Sequence, residues 1–197
     1  MNFKRVKSVY IVCCILLCLL FLVPVLAVIL PSPQSEKFSE FWILGPNHKM
    51  EGYPYDILPE AGYHVYLGVG NQMGGLEYYL VKVKLANQSD SLPDRSIGTP
   101  SNLPTIFEYR VFLEHNATWE TDFSFSFSDI SFEGNACIIS TLKINGTSIN
   151  VSKPVTRDAA DNGFHYEIFF ELWIYNSTIS NFQFHNRSVG FRVLVNE

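Results

Sequence analysis

The feature that most constrains this chain is an apolar run of 22 residues, Val9 to Leu30, which contains no charged side chain. At the α-helical rise of about 1.5 Å per residue, the run would reach about 33 Å, enough to cross a hydrocarbon core about 30 Å thick. Lys4, Arg5 and Lys7 precede the run, and no further basic residue occurs until Lys37. The positive-inside rule therefore predicts a cytoplasmic N-terminus and an extracellular C-terminal domain at the cell membrane.

The alternative interpretation of the same run is a cleaved signal peptide. The apolar part of a signal peptide is usually about 7 to 15 residues long and ends at small residues in an A-x-A pattern. This run is longer, and its last six residues, 25–30, offer no such pattern. We therefore predict a retained single-pass anchor with four segments: a basic N-terminus (1–8), a transmembrane helix (9–30), a linker (31–37) and an extracytoplasmic β-sandwich domain (38–197).

Charge and cysteine content limit what the extracellular part can do. After the run there are 11 basic and 19 acidic residues, which gives 11 − 19 = −8. An acidic domain repels phosphate backbones, so nucleic acid is excluded as an expected partner. Three of the four cysteines lie inside the run, which leaves Cys137 as the single cysteine of the domain. Since no internal disulfide can form there, the domain must be stabilised by apolar packing.

From Phe38 onward the dominant pattern is alternation with a period of two, which in an extended chain sends successive side chains to opposite faces of a sheet. Helical periodicity is nearly absent. The pattern predicts an all-β fold, an antiparallel β-sandwich of immunoglobulin-like type behind the transmembrane helix. The predicted strands are Phe38 to Leu44, Tyr63 to Gly70, Glu77 to Leu85, Ile106 to Glu114, Thr121 to Ser128, Ala136 to Ile144, Ser148 to Val151, Phe164 to Tyr175 and Val189 to Val195.

Two turn signals predict hairpins. The glycine-rich segment Gly70 to Gly75 suggests that the second and third predicted strands form an antiparallel pair. Asn145-Gly146 suits the positive φ angles of a type I′ turn, so it predicts a hairpin between its flanking strands. Asn87 to Pro104 is a long irregular stretch between strands, and a stretch of that length is either mobile or functional.

The strand Phe164 to Tyr175 is unusually apolar on both faces. The face opposite the predicted core alternates polar residues with Phe169, Trp173 and Tyr175, a composition typical of recognition surfaces. We therefore predict a contact surface at these three aromatic residues. The alternative is that Phe169 and Trp173 lie under a loop such as Asn87 to Pro104, or that both faces are covered by sheet.

Six Asn-x-Ser/Thr sites follow the apolar run, and none has proline in the middle position. Such sites are glycosylated in exported proteins, and all of them lie at predicted strand ends or in loops, where a glycan has room. The predicted acceptors are Asn87, Asn116, Asn145, Asn150, Asn176 and Asn186.

The sequence carries no recognisable catalytic or metal-binding motif. Its five histidines lack the H-x-H or H-E-x-x-H spacing of metal sites, and no G-x-S-x-G nucleophile elbow occurs. The glycines of residues 68–74 have the wrong spacing for a phosphate-binding loop and precede a predicted strand. We therefore predict no catalytic residue, no metal ligand and no cofactor.

Several motifs resemble the extracytoplasmic part of an archaeal membrane-protein family called domain of unknown function 1616. They are Phe38-Ser-Glu-Phe-Trp-Ile-Leu-Gly-Pro46, Tyr53-Pro54, Gly68-Val-Gly-Asn71, Tyr78 to Leu85, Asn116-Ala-Thr-Trp-Glu120 and Tyr166 to Tyr175. The resemblance covers most of Phe38 to Val195 and implies a β-sandwich outside an archaeal-type membrane, with no known activity. Asn71-Gln72-Met73 stands where the family pattern is Asn-His-Glu, so any role of that His-Glu pair is lost here.

For function, we expect an interaction module displayed at the cell surface that binds envelope proteins or glycans, because sandwiches present loops and faces for recognition. The alternative is an enzyme or accessory subunit in envelope polysaccharide or glycoprotein assembly. A deep pocket with several converging titratable groups would favour catalysis, whereas an exposed aromatic patch would favour binding.

Overall fold

The computed structural model describes residues 3–29, 36–158 and 163–196. They belong to two compact units, Met1–Glu36 and Lys37–Glu197. In the first unit a helix, α1, runs from Phe3 to Ile29. In the part of the chain that the structure describes, no helix is long and apolar enough to cross a membrane. The span predicted for residues 9–30 stays a prediction of the sequence, and most of the predicted linker 31–37 lies outside the described residues.

The second unit is a β-sandwich of two five-stranded sheets. In spatial order, sheet A contains β1, β3, β6, β7 and β8, and sheet B contains β2, β10, β9, β4 and β5. All neighbours are antiparallel except β2 and β10, which pair in parallel. The immunoglobulin-like arrangement stays a prediction. The strand bounds in chain order are β1 Phe38–Leu44, β2 Asp56–Ile57, β3 Tyr63–Gln72, β4 Glu77–Asn87, β5 Phe107–Leu113, β6 Thr118–Glu133, β7 Ala136–Ile144, β8 Thr147–Thr156, β9 Phe164–Asn176 and β10 Asn181–Val195.

The core lies between the two sheets and is filled by the side chains that the alternation places on the inner faces. In β6 the phenylalanines of the Phe-Ser-Phe-Ser-Phe run all point inward, and Phe123 contacts Phe170 of β9 edge to face with ring centroids 4.9 Å apart. Such a T-shaped pair is favourable beyond the apolar area that it buries. The inner faces of β6 and β9 are therefore as the sequence predicted.

The predicted hairpin of β3 and β4 is wrong. β3 pairs with β1 and β6 in sheet A, whereas β4 pairs with β5 and β9 in sheet B. Residues 73–76 therefore cross from one sheet to the other. Asn71 fixes this crossing, because its buried amide donates hydrogen bonds to the carbonyl oxygens of Gly75 (2.8 Å) and Leu113 (2.7 Å). The sequence identifies the turn residues, but an alternation of apolar residues with a period of two does not show which sheet a strand joins.

The other predicted hairpin is confirmed. β7 and β8 are joined by Asn145 and Gly146, whose φ angles of 47° and 81° are both positive, as a type I′ turn requires. Three strands extend at least five residues beyond the alternation at one end: β6 ends at Glu133, β8 ends at Thr156, and β10 begins at Asn181.

Candidate functional site

The outer face of sheet B carries four aromatic side chains side by side, one from each of four adjacent strands. We call this set the aromatic row: Phe112 of β5, Tyr78 of β4, Tyr175 of β9 and Phe182 of β10. Tyr78 and Phe112 are stacked with centroids 4.0 Å apart, and Tyr175 meets Phe182 edge to face at 5.4 Å. Phe112 is 63% exposed and Tyr175 37% exposed. The row is thus a largely uncovered aromatic surface that includes one of the three predicted contact residues.

Trp173 lies next to the aromatic row on the same face and is half-buried. Its indole Nε1 donates a hydrogen bond to Glu171 Oε2 at 3.1 Å, and the ammonium of Lys82 stands 3.5 Å from the centre of its ring. Burial and the nearby charge of Lys84 lower the pKa of Lys82. Trp173 therefore borders the exposed surface rather than lying in the core.

The other half of this face is covered by residues 88–106, which we call the covering loop. Beneath the loop, Lys84 Nζ lies 3.0 Å from Glu171 Oε2 and donates a hydrogen bond to Ser101 O at 2.6 Å. Ser101 N in turn donates to Glu171 Oε1 at 2.7 Å. Lys84 is 3% and Glu171 0% exposed, so this is a buried ion pair that fastens the loop to the sheet.

Phe169 lies in this covered half and is only 2% exposed. Its side chain is therefore not available at the surface. This burial agrees with the alternative prediction that a loop covers Phe169. The predicted contact surface therefore excludes Phe169. For Trp173 and Tyr175 it stays a prediction.

The outer face of sheet A carries a second aromatic site, which we call the Trp42 platform: Trp42, His48, Tyr66 and Glu120. The indole of Trp42 lies across Gly68, where a Cβ atom would be 2.1 to 2.5 Å from three atoms of the ring. Trp42 Nε1 donates to Glu120 Oε2 at 3.2 Å, and His48 Nδ1 lies 3.0 Å from Glu120 Oε1. The His48 ring stacks on Tyr66 with centroids 3.6 Å apart.

The tight turn after β1 positions His48. Gly45 N donates to Lys49 O at 2.7 Å, and a Cβ on Gly45 would be 1.9 Å from Glu51 O, so only glycine fits there. His48 itself has a φ of 54°, in the left-handed region that non-glycine residues seldom adopt. The surrounding turn thus holds His48 over Tyr66 against a backbone preference, as happens at many functional sites.

The platform could not be predicted from the sequence, because its residues come from four separate segments that form no motif. A glycine inside an alternating strand often marks close approach of another group, and Gly68 is that signal here. Trp42 and Gly68 are direct partners in the β1–β3 ladder, and Gly68 and Glu120 are partners in the β3–β6 ladder. Only this register brings the three positions together.

A cleft of about 470 Å³ adjoins the platform, because Trp42 also lines it. The cleft lies between β1 and β10 beside the covering loop, and its polar lining includes Glu167 and Arg95. Burial raises the pKa of Glu167, and the charge of Arg192 partly opposes that shift. The cleft therefore contains one carboxyl group with a raised pKa.

Ser39 and His185 form the closest approach to a nucleophile–base pair. His185 Nε2 lies 2.9 Å from Ser39 Oγ, which is also 2.7 Å from Tyr79 OH. Burial, together with the charge of Arg187, lowers the pKa of His185. Ser39 is only 1% exposed, however, so a substrate cannot reach its hydroxyl, and the pair ties β1 to β10.

Among the described residues, no group of three or more His, Cys, Asp or Glu side chains could hold a metal ion.

The predicted glycan acceptors are distributed over both sheets. Asn116, Asn145, Asn150 and Asn186 are exposed, whereas Asn87 and Asn176 are half-buried. The side-chain amides of three acceptors already donate hydrogen bonds: Asn87 to Pro154 O, Asn145 to Tyr109 OH, and Asn176 to Gln183 Oε1. Burial raises the pKa of Tyr109 to about 12, so its hydroxyl stays protonated. Glycosylation stays a prediction.

Comparison with known proteins gives the family. The family model called Domain of unknown function (DUF1616) matches residues 32–135, just over half of the chain. The chain belongs to the DUF1616 family. The matched range contains all four residues of the Trp42 platform, whereas β9 and β10 lie beyond it. No curated protein matches the sequence.

Solved structures offer only distant likenesses. A β-glucosidase from Listeria innocua in complex with glucose is 10% identical, with 82% of this chain and 16% of that chain covered and a TM-score of 0.39. A β-glucosidase from Erythrobacter marinus is 9% identical, with 80% of this chain and 16% of that chain covered and a TM-score of 0.38. The ASH / PapD-like domain of human CEP192 is 12% identical, with 85% of this chain and 89% of that chain covered and a TM-score of 0.30. The DUF1616 chain thus spans about a sixth of each β-glucosidase, and these TM-scores establish no functional relation.

Proposed function

We propose that this DUF1616 protein is a membrane-anchored module at the cell surface that binds an envelope glycan at the Trp42 platform. The anchorage is supported by the uncharged run of residues 9–30, by the basic residues before it, and by the six glycosylation sites after it. The binding role is supported by the geometry of the platform.

The observation that carries the proposal is the indole of Trp42 lying across Gly68. One face of the ring packs on backbone, so the ring is held in place with its other face directed away from the sheet. The C–H face of a sugar ring can pack on such a surface, while its hydroxyl groups donate hydrogen bonds to a carboxylate. Glu120 is already fixed by Trp42 and His48, so little side-chain freedom is lost on binding.

The charge around the platform narrows the ligand class. Glu40, Glu120 and Asp122 all lie on this outer face, and Asp122 is paired with His64 at 3.0 Å. An anionic polysaccharide would be repelled by this concentration of carboxylates. The preferred ligand is therefore a neutral glycan or one that carries amino sugars.

The proposal is tested by titrating the full chain in detergent with glycans released from the cell envelope and measuring the heat of binding by isothermal titration calorimetry. We expect saturable binding that Trp42→Ala abolishes and that Glu120→Gln weakens at least several-fold. The matched control is Trp173→Ala on the opposite face, which should bind as the natural chain does. Unchanged affinity of the Trp42→Ala variant, with its fold intact by circular dichroism, would overturn the glycan site.

The alternative, an enzyme of envelope polysaccharide assembly, draws on the cleft. The raised pKa of Glu167 suits a general acid, but glycosidic bond cleavage generally needs a second carboxyl group within about 10 Å across the bond. Among the described residues that line the cleft, Glu167 is the single acidic side chain. Turnover of an envelope glycan that is lost in Glu167→Gln and retained in Trp42→Ala would favour the enzyme.

A further inference from the structure

We propose that the aromatic row of sheet B docks on the lipid interface of the membrane. The inference rests on the proposed anchorage, but it concerns a different surface from the glycan site. It gives the contact surface predicted around Trp173 and Tyr175 a specific partner, the headgroup layer of a bilayer.

Two large exposed apolar side chains lie close in sequence to members of the aromatic row. Leu76, 65% exposed, lies in the crossing between β3 and β4, two residues before Tyr78. Ile179, 53% exposed, lies in the turn between β9 and β10, between Tyr175 and Phe182. Exposed apolar side chains beside exposed aromatic rings are typical of a site that contacts a protein or a membrane.

The position of the row favours the membrane. The polypeptide enters the sandwich at this same end, because Lys37 Cε would lie 3.6 Å from a Cβ on Gly74, in the crossing that contains Leu76. Ser39 is bonded to His185 of β10, three residues after Phe182. The residues between the apolar run and β1, 31–37, can span at most about 25 Å when fully extended. A domain tethered so closely keeps this end within reach of the headgroups.

The chemistry of the row also suits a lipid interface. Tyrosine places an apolar ring and a polar hydroxyl at the boundary between acyl chains and water, which explains why aromatic residues form belts there. Two cations flank the row: Arg110 lies 5.6 Å from the Phe182 ring, and Lys82 stands over Trp173. Arg110 is paired with Glu108 at 2.9 Å, and its exposed guanidinium can exchange this partner for a lipid phosphate as the rings enter the interface.

Glycosylation at Asn176 and ligand binding at the Trp42 platform are compatible with this orientation. Asn176 follows Tyr175 in β9, so its side chain points to the other face of the sheet, where it bonds Gln183. The Trp42 platform lies on the outer face of sheet A, across the core from the row. Docking through sheet B therefore leaves the proposed glycan site directed away from the bilayer.

The test uses the full chain reconstituted in vesicles of equal parts phosphatidylcholine and phosphatidylglycerol, whose acyl chains carry bromine near the headgroup end. Two variants, Phe112→Trp and Leu58→Trp, place a reporter at positions of equal exposure, 63% and 67%. Leu58 follows β2, which pairs with the last residues of β10, about 30 Å along the strands from the row. The three native tryptophans are common to both variants.

We expect bromolipid to quench the added emission of Phe112→Trp by at least half and to leave that of Leu58→Trp unchanged. Equal quenching, or none, in the two variants overturns docking.

Flotation of the vesicles after an alkaline carbonate wash separates the two proposals. Protein that floats with an unquenched Phe112→Trp reporter is anchored but undocked, whereas protein that fails to float refutes the anchorage itself. An unquenched Phe112→Trp reporter whose emission changes when the protein is diluted in the vesicles would assign the row to a second copy and overturn the lipid assignment.

Discussion

The outer face of β9 is divided into two halves that share one sequence pattern and differ in environment. In the covered half, Phe169 and Glu171 are buried beneath the covering loop. In the open half, Trp173 is half-buried and Tyr175 is exposed. The boundary coincides with the irregularity in β10 between Phe184 and Arg187, where the register with β9 shifts.

The contrast shows what an alternating polar and aromatic pattern means physically. Such a strand can form a second buried layer wherever a loop supplies hydrogen bonds to its polar members. Ser101 does this for Glu171, and Lys84 balances its charge. In the open half the rings of Phe112 and Tyr175 are exposed, so the same pattern becomes a surface.

The largest expected effect is at the buried ion pair. Lys84→Met leaves the Glu171 carboxylate buried without a counterion, which should lower the free energy of unfolding by about 3 to 5 kcal/mol. Urea unfolding of a fragment that begins at residue 36 measures it. Lys82→Met, at the border of the open half, is the matched control and should cost about 1 kcal/mol or less, since the half-buried Lys82 loses mainly a contact over Trp173. Equal losses of unfolding free energy in the two variants would contradict the distinction between the covered half and the open half.

Truncation of the two aromatic side chains compares the halves directly. Phe169→Ala should cost about 3 kcal/mol or more, because it opens a cavity under the covering loop. Tyr175→Ala, at the exposed end of the same strand face, should cost no more than about 1 kcal/mol. Thermal and urea unfolding of both variants would check this. A larger loss for Tyr175→Ala would mean that the row is structural rather than a contact surface.

Phe112→Ser should have a still smaller effect on folding. Its ring is exposed and loses mainly the stacking with Tyr78, so the cost should be about 1 kcal/mol or less. The same substitution should reduce membrane contact, and limited proteolysis of vesicle-bound protein should then cleave the domain faster. A variant that unfolds at room temperature would contradict the assignment of Phe112 to the open half.

The smallest effect is a pH dependence at the boundary, where His185 bonds Ser39. The pKa of His185 is lowered from 6.5, so the folded state binds its proton less readily than the unfolded chain does. The stability from neutral His185 is therefore complete above the unfolded pKa of 6.5 and is lost as the pH falls through that value towards the lowered one. His185→Gln should flatten the fall in unfolding free energy over this window. An unchanged slope would show that other groups cause it.

Much of the fold followed from the sequence, since β1, β7 and β9 agree with the alternation and Asn145-Gly146 forms the expected turn. The pairing of β3 with β4 failed because local periodicity reports faces, not partners. The aromatic composition of β9 is visible in the sequence, but the burial of Phe169 could not be predicted, because it depends on a loop that lies more than 60 residues earlier in the chain. The Trp42 platform was missed because its members meet only through strand register.

The place of Trp42 on β1 has a mechanical consequence. β1 is the first strand after the tether, and only four residues separate Lys37 from Trp42. Tension between the membrane and a glycan held on the indole would pass along this short backbone segment. A pull along β1 would strain the hydrogen bonds of the β1–β3 ladder together in shear rather than open them one after another. The core between the sheets would carry little of that force.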